Sequence, residues 1–501
     1  MTTSATIRLS TISLAGLASL AGLFAPPLAM AGTAAFRAGA AASNITPAIG
    51  DPLSTSERRV AHIHDEMHAR CLVLDDGATR LAFVVVDSVS VPREVYDEAK
   101  RLIQRATGLP PKNMMMSATH THSGPNARGA DPKDWNTAMP PEAQAHLGDD
   151  PGEFSRPLSD YQRFLTRRIA DGVRRASNNL EPARIGWGAG QVPEHVFNRR
   201  SILRDGKTTP NPLGGQDRAV TNQRGHPDRD RPAGPVNPEV SFISVQSPDG
   251  RPIALLANYW LHYVGGVGAG HISADYFGAF ADRIQELLGA DHQDPPFVGL
   301  LANGPCGDVN HIGFKGPPGK KYAPYEMIRL VANDVAQEVS QVHRTIRHQE
   351  WVGLKAVQSE LELTMRHPTP AMLQRARKIL TQPVTASRMQ ARERDYAART
   401  IGAEHWPATV SVPLQVFRLG ELAVAAIPFE VFTETGLEIK ARSPFSRTFT
   451  IELANGGYGY LPTPEQHELG GYETWLGPNR VEPVASRKIV ARILELFAAA
   501  R

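Results

Sequence analysis

The sequence predicts an α/β fold: one large domain of mixed β-sheets flanked by helices, with an active site at the C-terminal ends of strands. Three observations predict it. Arg80–Asp87 (RLAFVVVD) is a short apolar run rich in β-branched residues; Val91–Gly108 follows with helical periodicity and a glycine stop; then an extended strand is expected at Asn113–Ala118. Such a strand–helix–strand unit calls for a parallel pair with a right-handed crossover. Elsewhere Thr409–Arg418 and Ala423–Ile427, joined at Leu419-Gly420-Glu421, read as a hairpin, so antiparallel pairing is expected as well. Finally, several apolar runs stop abruptly at a histidine or an acid, which in α/β proteins is where ligands bind.

Composition narrows the class. With 501 residues, 41% hydrophobic and 21% charged, the chain is long enough for one large domain or two to three ordinary ones and has the balance of a soluble globular enzyme. A net charge of +3, with no basic, aromatic-interleaved stripe, argues against a nucleic-acid partner. Arg8, the apolar run Ile12–Leu23 and Ala29-Met30-Ala31 have the pattern of a signal peptide cleaved near Ala31. The apolar run is short for a membrane span of roughly 20 residues, and no later segment reads as one. Export is therefore expected, and Cys71 and Cys306 are either a disulfide or two buried thiols.

Taken in order, the chain offers these candidates. His64 and His68 are four apart, but the neighbouring acids are displaced from the zinc-protease pattern, so surface or structural roles are favoured. Asp87 ends the first strand and either orients a histidine or caps a turn. The run MMMSATHTHSGP (114–125) delivers His120 and His122 to one place if extended geometry persists. Ala127–Pro157 reads as a loop and Ser159–Asn178 as an amphipathic helix. A strand begins at Ile185–Gly188. Arg199 and Arg200 read as solvated charge unless a carboxylate or oxyanion lies beside them. Asp205–Pro235 is a long loop without periodicity. Val240–Gln246 and Ile253–Tyr259 are strands, the second ending in Trp260-Leu261-His262. The glycines of 265–270 only mimic a dinucleotide fingerprint, and a helix over Ser273–Leu288 is expected to be capped by Ser273. Pro296–Leu301 is a strand leading to Asp308, which is a turn residue, a supporting group or a second cation ligand. Tyr325–Val342, Ala371–Leu380, Ser387–Arg399 and Val484–Ala499 are helical, and Glu350–Met365 alternates as a half-exposed strand. Glu430 sits where the second hairpin strand gives way to the Val431–Arg442 helix, and Thr448–Leu453 is a further strand. Tyr460 and Tyr472 lie among glycines.

These stations together resemble the neutral ceramidase family, the neutral/alkaline non-lysosomal ceramidases. The matches are NITP at 44–47, ATHTHSGP at 118–125, FNRR at 197–200, His262 with ISADYFG, GPCGDVN at 304–310, PFE at 428–430, GLEIKARSPF at 436–445, NGGYGYLPT at 455–463 and GGYETW at 470–475. ATHTHSGP is the most specific. The resemblance implies a zinc amidase on a large α/β domain, with His120, His262, Glu430 and Tyr460 as zinc ligands and His122 as the catalytic histidine. It further implies that Arg199 is the active-site arginine, with a one-residue ambiguity against Arg200, and that Tyr472 contacts the scissile amide. The sequence departs from the family pattern twice. It ends about 30 residues after Tyr472, where well-known members carry an immunoglobulin-like C-terminal domain, and it has PFE where members often have PGE.

The implied chemistry is self-consistent. Zinc accepts imidazole and carboxylate, keeps an open position in catalytic sites, and lowers the pKa of a bound water to about 7. Hydroxide would attack the amide of ceramide or a related N-acyl lipid, releasing fatty acid and amine. A tyrosine ligand needs its phenol acidified by the cation. The expected partner is the N-acyl lipid or another amide, with transient contact at a membrane surface. Two alternatives stand beside this: a zinc hydrolase of the same fold acting on a different amide or an ester, and an exported ligand-binding protein without turnover.

Overall fold

The computed structural model describes residues 1–2, 35–53, 58–125, 127, 158–222, 225–312, 322–383 and 392–501. The signal-peptide segment, the 128–157 stretch expected to be a loop, and the first part of the helix expected at Ser387–Arg399 lie outside them; the described part of that helix is Glu393–Ala403. Ala35–Arg501 forms one unit.

Three mixed sheets organise it. The first orders Met114–Ala118, Arg80–Val86, His68–Asp75, Arg37–Asn44 and Glu181–Pro182; the second orders Val298–Asn303, Pro252–Tyr259, Glu239–Gln246 and Arg184–Gln191; the third orders Leu354–Thr364, Thr409–Leu419, Leu422–Ala426 and Arg447–Ile451. Each contains one parallel pair: Arg80–Val86 with Met114–Ala118, Pro252–Tyr259 with Val298–Asn303, and Leu422–Ala426 with Arg447–Ile451. A helix connects the two strands of each pair, Arg93–Thr107, Asp275–Leu287 and Thr433–Arg442, as a parallel connection requires.

Side-chain alternation explains the layering. In Arg80–Val86, Leu81, Phe83 and Val85 point to one core while Ala82, Val84 and Val86 point to another. The first core is shared by all three sheets, with Leu256 and Leu300 from the second and Phe417, Val424 and Phe449 from the third. The outer faces are covered by helices: Arg93–Thr107 and Asp160–Asn178 on the first sheet, Asp275–Leu287 and Glu326–His343 on the second, Ala485–Ala500 on the third. Strands buried on both faces read as continuous apolar runs, which is why these were legible. No described helix is long and apolar enough to cross a membrane.

Several expectations are corrected locally. The helix expected from Ser273 begins at Asp275 with Ala274 as its N-cap; Ser273 Oγ instead accepts from the Asp275 amide at 3.0 Å. Gly108 does stop its helix, at φ 74°. The 205–235 segment is not a plain loop. Ala219–Thr221 and Arg229–Pro232 pair on either side of Arg200–Leu203 in a small sheet, so the arginine pair is built into structure. His64 and His68 do not share a helix: His68 opens a strand, and the His64 ring stacks on Tyr325 at 3.6 Å. Asp87 serves the backbone and an arginine, accepting from the His68 amide at 2.8 Å and from Arg70 Nη1 at 2.6 Å. Cys71 and Cys306 are both buried and free.

Candidate functional site

The three parallel units deliver one residue each to a common point. His120 follows Met114–Ala118, His262 follows Pro252–Tyr259, and Glu430 follows Leu422–Ala426. His120 and His122 meet, but not through strand alternation. The strand ends at Ala118, and His120 adopts a left-handed φ of 64°, a conformation costing about 1–3 kcal/mol that surrounding contacts must impose. Its amide donates to Ser88 O at 2.9 Å and its Nδ1 to Val89 O at 2.6 Å. The turn swings its ring so that Nε2 stands 3.0 Å from His262 Nε2 and 3.2 Å from His122 Nε2.

The tautomers follow from these contacts. A carbonyl only accepts, so His120 Nδ1 carries its proton toward Val89 O, and His262 Nδ1 carries its own toward Cys306 O at 3.2 Å. Burial, reinforced by neighbouring His120, Arg199 and His122, pushes His262 well below the ordinary histidine range, so it is neutral. With Nδ1 committed to a carbonyl, each ring in its neutral form turns Nε2 to the same spot. Glu430 Oε2 joins them, 3.3 Å from His120 Nε2 and 3.8 Å from His262 Nε2, and finds no hydrogen bond among the described residues. Three acceptors facing one another in a buried pocket repel unless a cation lies between them. Among the described residues, His120, His122 and His262 form the one group of His, Cys, Asp and Glu side chains whose ligand atoms gather closely enough for a metal ion. The residues present therefore fit a metal.

Tyr460 reaches the pocket by register. Tyr460–Leu461 pairs in parallel with Glu430–Val431, and Tyr460 lies opposite Glu430. Its hydroxyl is close enough to Glu430 and Arg199 to interact electrostatically with both. Burial, and then Glu430, raise the Tyr460 phenol well above its ordinary value. Burial also raises the Glu430 carboxyl, but His120, Tyr460 and Arg199 outweigh it and hold the group below its ordinary value. The Tyr472 ring packs 5.6 Å from Tyr460, edge to face.

The arginine ambiguity resolves by hydrogen bonding. Arg200 is committed to protein on every side, donating to Gln466 Oε1, Gly470 O and Glu473 Oε2. Arg199 lies 5.2 Å from the Tyr460 ring, and its buried Nη2 has no partner among the described residues. Arg199 is the arginine that faces the pocket. All seven residues expected from the sequence thus stand in one neighbourhood.

Comparison with known proteins places the fold. No family model matches the chain. Neutral ceramidase of Pseudomonas aeruginosa is 24% identical over 227 residues, a stretch covering 44% of this chain but only 28% of that protein. The crystal structure of neutral ceramidase from Pseudomonas aeruginosa superposes with a TM-score of 0.66 at 17% identity, over 93% of this chain and 74% of its own. A structure described as ceramidase complexed with C2 gives 0.67 at 16%, over 93% and 75%. The fold is that of neutral ceramidase.

Within that neutral ceramidase fold, one supporting residue was among the sequence candidates and three, Glu452, Tyr263 and Glu473, were not. Asp308, offered by the sequence as a turn residue, a supporting group or a second cation ligand, lies in a turn and supports the site. It accepts from the Thr433 amide and hydroxyl at 2.9 Å and from Asn198 Nδ2 at 2.7 Å, while its carbonyl accepts from the Arg199 amide at 2.8 Å. Burial raises its carboxyl to about 6. Glu452 accepts from the Cys306 and Val431 amides at 3.2 and 2.6 Å, so it ties the carbonyl that orients His262 to the residue after Glu430. Burial raises its carboxyl well above the ordinary range. Tyr263 stacks on His122 at 3.7 Å, nearly parallel. Glu473 holds both arginines. An acid following an aromatic carries no sequence signal for such a role; only burial reveals it.

Proposed function

We propose that the chain is a zinc-dependent amidohydrolase that cleaves the amide of ceramide or a related N-acyl lipid, releasing a fatty acid and an amine. The observation that carries this is the convergence of two bare imidazole nitrogens and an unpaired carboxylate oxygen in one buried pocket, beside a tyrosine, in a neutral ceramidase fold. Imidazole with carboxylate is a donor set that suits zinc. His120, His262, Glu430 and Tyr460 would hold the ion. When bound, zinc supplies a Lewis acid and an acidified water at neutral pH.

The remaining steps belong to the protein's own side chains. His122 stands beside the ligands without sharing their burial, with its ring fixed against Tyr263. It accepts a proton from the attacking water and returns it to the leaving nitrogen, a role typically contributing roughly 10²–10⁴-fold. Arg199 Nη2 and the Tyr472 hydroxyl donate to the carbonyl oxygen as negative charge develops there. Each such donor typically contributes about 10²–10³ in kcat. The Arg8, Ile12–Leu23 and Ala29–Ala31 pattern supports export before the protein acts, and an N-acyl lipid substrate entails transient approach to a membrane surface.

The test is release of fatty acid by purified protein from N-acylsphingosine, from soluble N-acyl amines and from the matching esters, alongside metal analysis. Preferential hydrolysis of the sphingosine amide with one bound zinc supports the reading. Turnover of esters or soluble amides alone reassigns the substrate, and binding of ceramide with no hydrolysis of any of the three removes the enzyme.

A further inference from the structure

The resemblance assigns Arg199 and Tyr472 to the site but says nothing of what fixes them relative to each other. Glu473 follows Tyr472 in the short 3-10 turn Tyr472–Thr474 and is fully buried. Its Oε1 accepts from Arg199 Nε at 2.9 Å; its Oε2 accepts from Arg200 Nη1 at 2.7 Å and from Thr221 Oγ1 at 2.7 Å. These contacts account for the carboxylate's environment and leave Arg199 Nη2 as the unspent donor. One carboxylate between two guanidinium groups leaves one positive charge over, and the Arg200 donors are already engaged. The uncommitted donor is therefore on Arg199, whose guanidinium lies beside the Tyr460 ring.

The turn itself is shaped to bring Glu473 in. Gly470 and Gly471 have φ of 73° and 99°, which side-chain-bearing residues rarely adopt. A Cβ on Gly471 would stand 2.8 Å from Arg200 Nη1. On the far side, Trp475 Nε1 donates to Asp217 Oδ2 at 2.8 Å, so the turn is anchored at both ends.

We propose that Glu473 is the positioning residue that locks Arg199 to the Tyr472 turn, so that the Arg199 Nη2 donor and the Tyr472 hydroxyl approach a substrate carbonyl as one rigid unit. Glu473 acts through Arg199 and does not touch the reacting atoms. The proposal rests on the amidohydrolase reading for its substrate, but the coupling between Glu473 and Arg199 can be measured without it.

The experiment is a double-mutant cycle on the full-length, zinc-loaded protein with Glu473→Gln, Arg199→Ala and the pair, read as kcat and KM on a short-chain ceramide, as bound zinc and as thermal melting. Glu473→Gln is expected to lower kcat by about 30–100-fold with KM changed less than about threefold, and the pair to be no worse than Arg199→Ala alone. Zinc content stays at the wild-type value throughout. A kcat for Glu473→Gln within about threefold of wild type, losses that multiply in the pair, or lost zinc would each overturn the proposal. Should Glu473→Gln fail to fold, Thr221→Val removes one donor to the same carboxylate while both arginines remain. It is expected to lower kcat by about threefold to tenfold with KM unchanged, and an unchanged kcat counts against the proposal. If wild-type protein hydrolyses none of the substrates, the functional reading falls and the coupling is read from dodecanoate binding by calorimetry. Arg199→Ala and Glu473→Gln should each weaken it by about tenfold, without further weakening in the pair. Equal affinity in wild type and Glu473→Gln would overturn the proposal there too.

Discussion

The two halves of the pocket have opposite deficits. The half built on strand ends, with His120, His262 and Glu430, has acceptors without donors, because both Nδ1 protons are spent on backbone carbonyls. The half built on turns and short strands, with Arg199 and Tyr472, has a donor without an acceptor, Arg199 Nη2. Buried polar groups are normally satisfied, so the two sides suit ligands of opposite character: a cation on one and, on the function proposed above, a developing oxyanion on the other. The strand-end half rests on three sheets and a shared core, whereas the turn half rests on one buried carboxylate and two glycines. Metal binding should therefore survive damage to the turns, and turnover should not.

The sharpest way to break the comparison is His262→Ala. It removes a ligand from the acceptor half and should cut bound zinc to a small fraction and hydrolysis by at least about 10³-fold, roughly 4 kcal/mol. Zinc content equal to wild type would take His262 out of the site. Next comes Arg199→Ala, expected to lower kcat by about 10²–10³, or about 3–4 kcal/mol, with zinc retained. Arg200→Ala should instead destabilise the fold, since it removes a fully buried guanidinium from its three partners, at about 3–5 kcal/mol. Activity lost equally in both, with equal melting temperatures, would contradict the division between them.

A third test addresses a buried lysine beneath the strand that leads to His120. Lys100 Nζ donates to Asn455 Oδ1 at 2.8 Å, and Asn455 in turn pairs with the Met116 backbone just before His120. Burial lowers Lys100 from 10.5 to about 8. The folded state binds this proton more weakly than the unfolded chain, so the charged lysine destabilises the fold at pH 7, and stability rises as pH climbs from about 8 to 10.5, by about 3 kcal/mol. The wild type should gain in melting temperature over that window relative to Lys100→Met; a constant difference between the two would refute the assignment.

Smaller effects sharpen the picture. Glu452→Ala should weaken zinc affinity by about 10–100-fold, or about 1.4–2.7 kcal/mol, through the Cys306 carbonyl that orients His262. Glu452→Gln should come close to wild type if the carboxyl is protonated, and a full loss would show that its charge matters. Tyr263→Phe, which keeps the ring against His122, should leave kcat within about twofold, whereas dependence on the hydroxyl would give Tyr263 a chemical role.

The same contrast governs what could be read from the sequence. His120, His262 and Glu430 were visible because buried parallel strands are apolar throughout and stop abruptly, so a histidine or acid at the stop stands out. The left-handed turn at His120 was not visible; extended geometry was expected and the rings meet for another reason. The small sheet around Arg200–Leu203 is not legible in the sequence because strands of three or four residues have no period to detect. Arg199 and Arg200 are indistinguishable as neighbours in a string, and the difference lies in partners some 270 positions away. Glu473 left no trace, since an exposed glutamate and one clasped by two arginines are spelled alike.

The central claim is that residues from three strand–helix–strand units and one short parallel pair gather about a single cation. A crystal of the zinc-loaded protein, with anomalous scattering recorded on both sides of the zinc edge, tests it most directly. The account predicts one peak bounded by the Nε2 atoms of His120 and His262, the Glu430 carboxylate and the Tyr460 oxygen. No peak there at full zinc occupancy, or a peak held by His122 with Glu430 and Tyr460 out of reach, would contradict it.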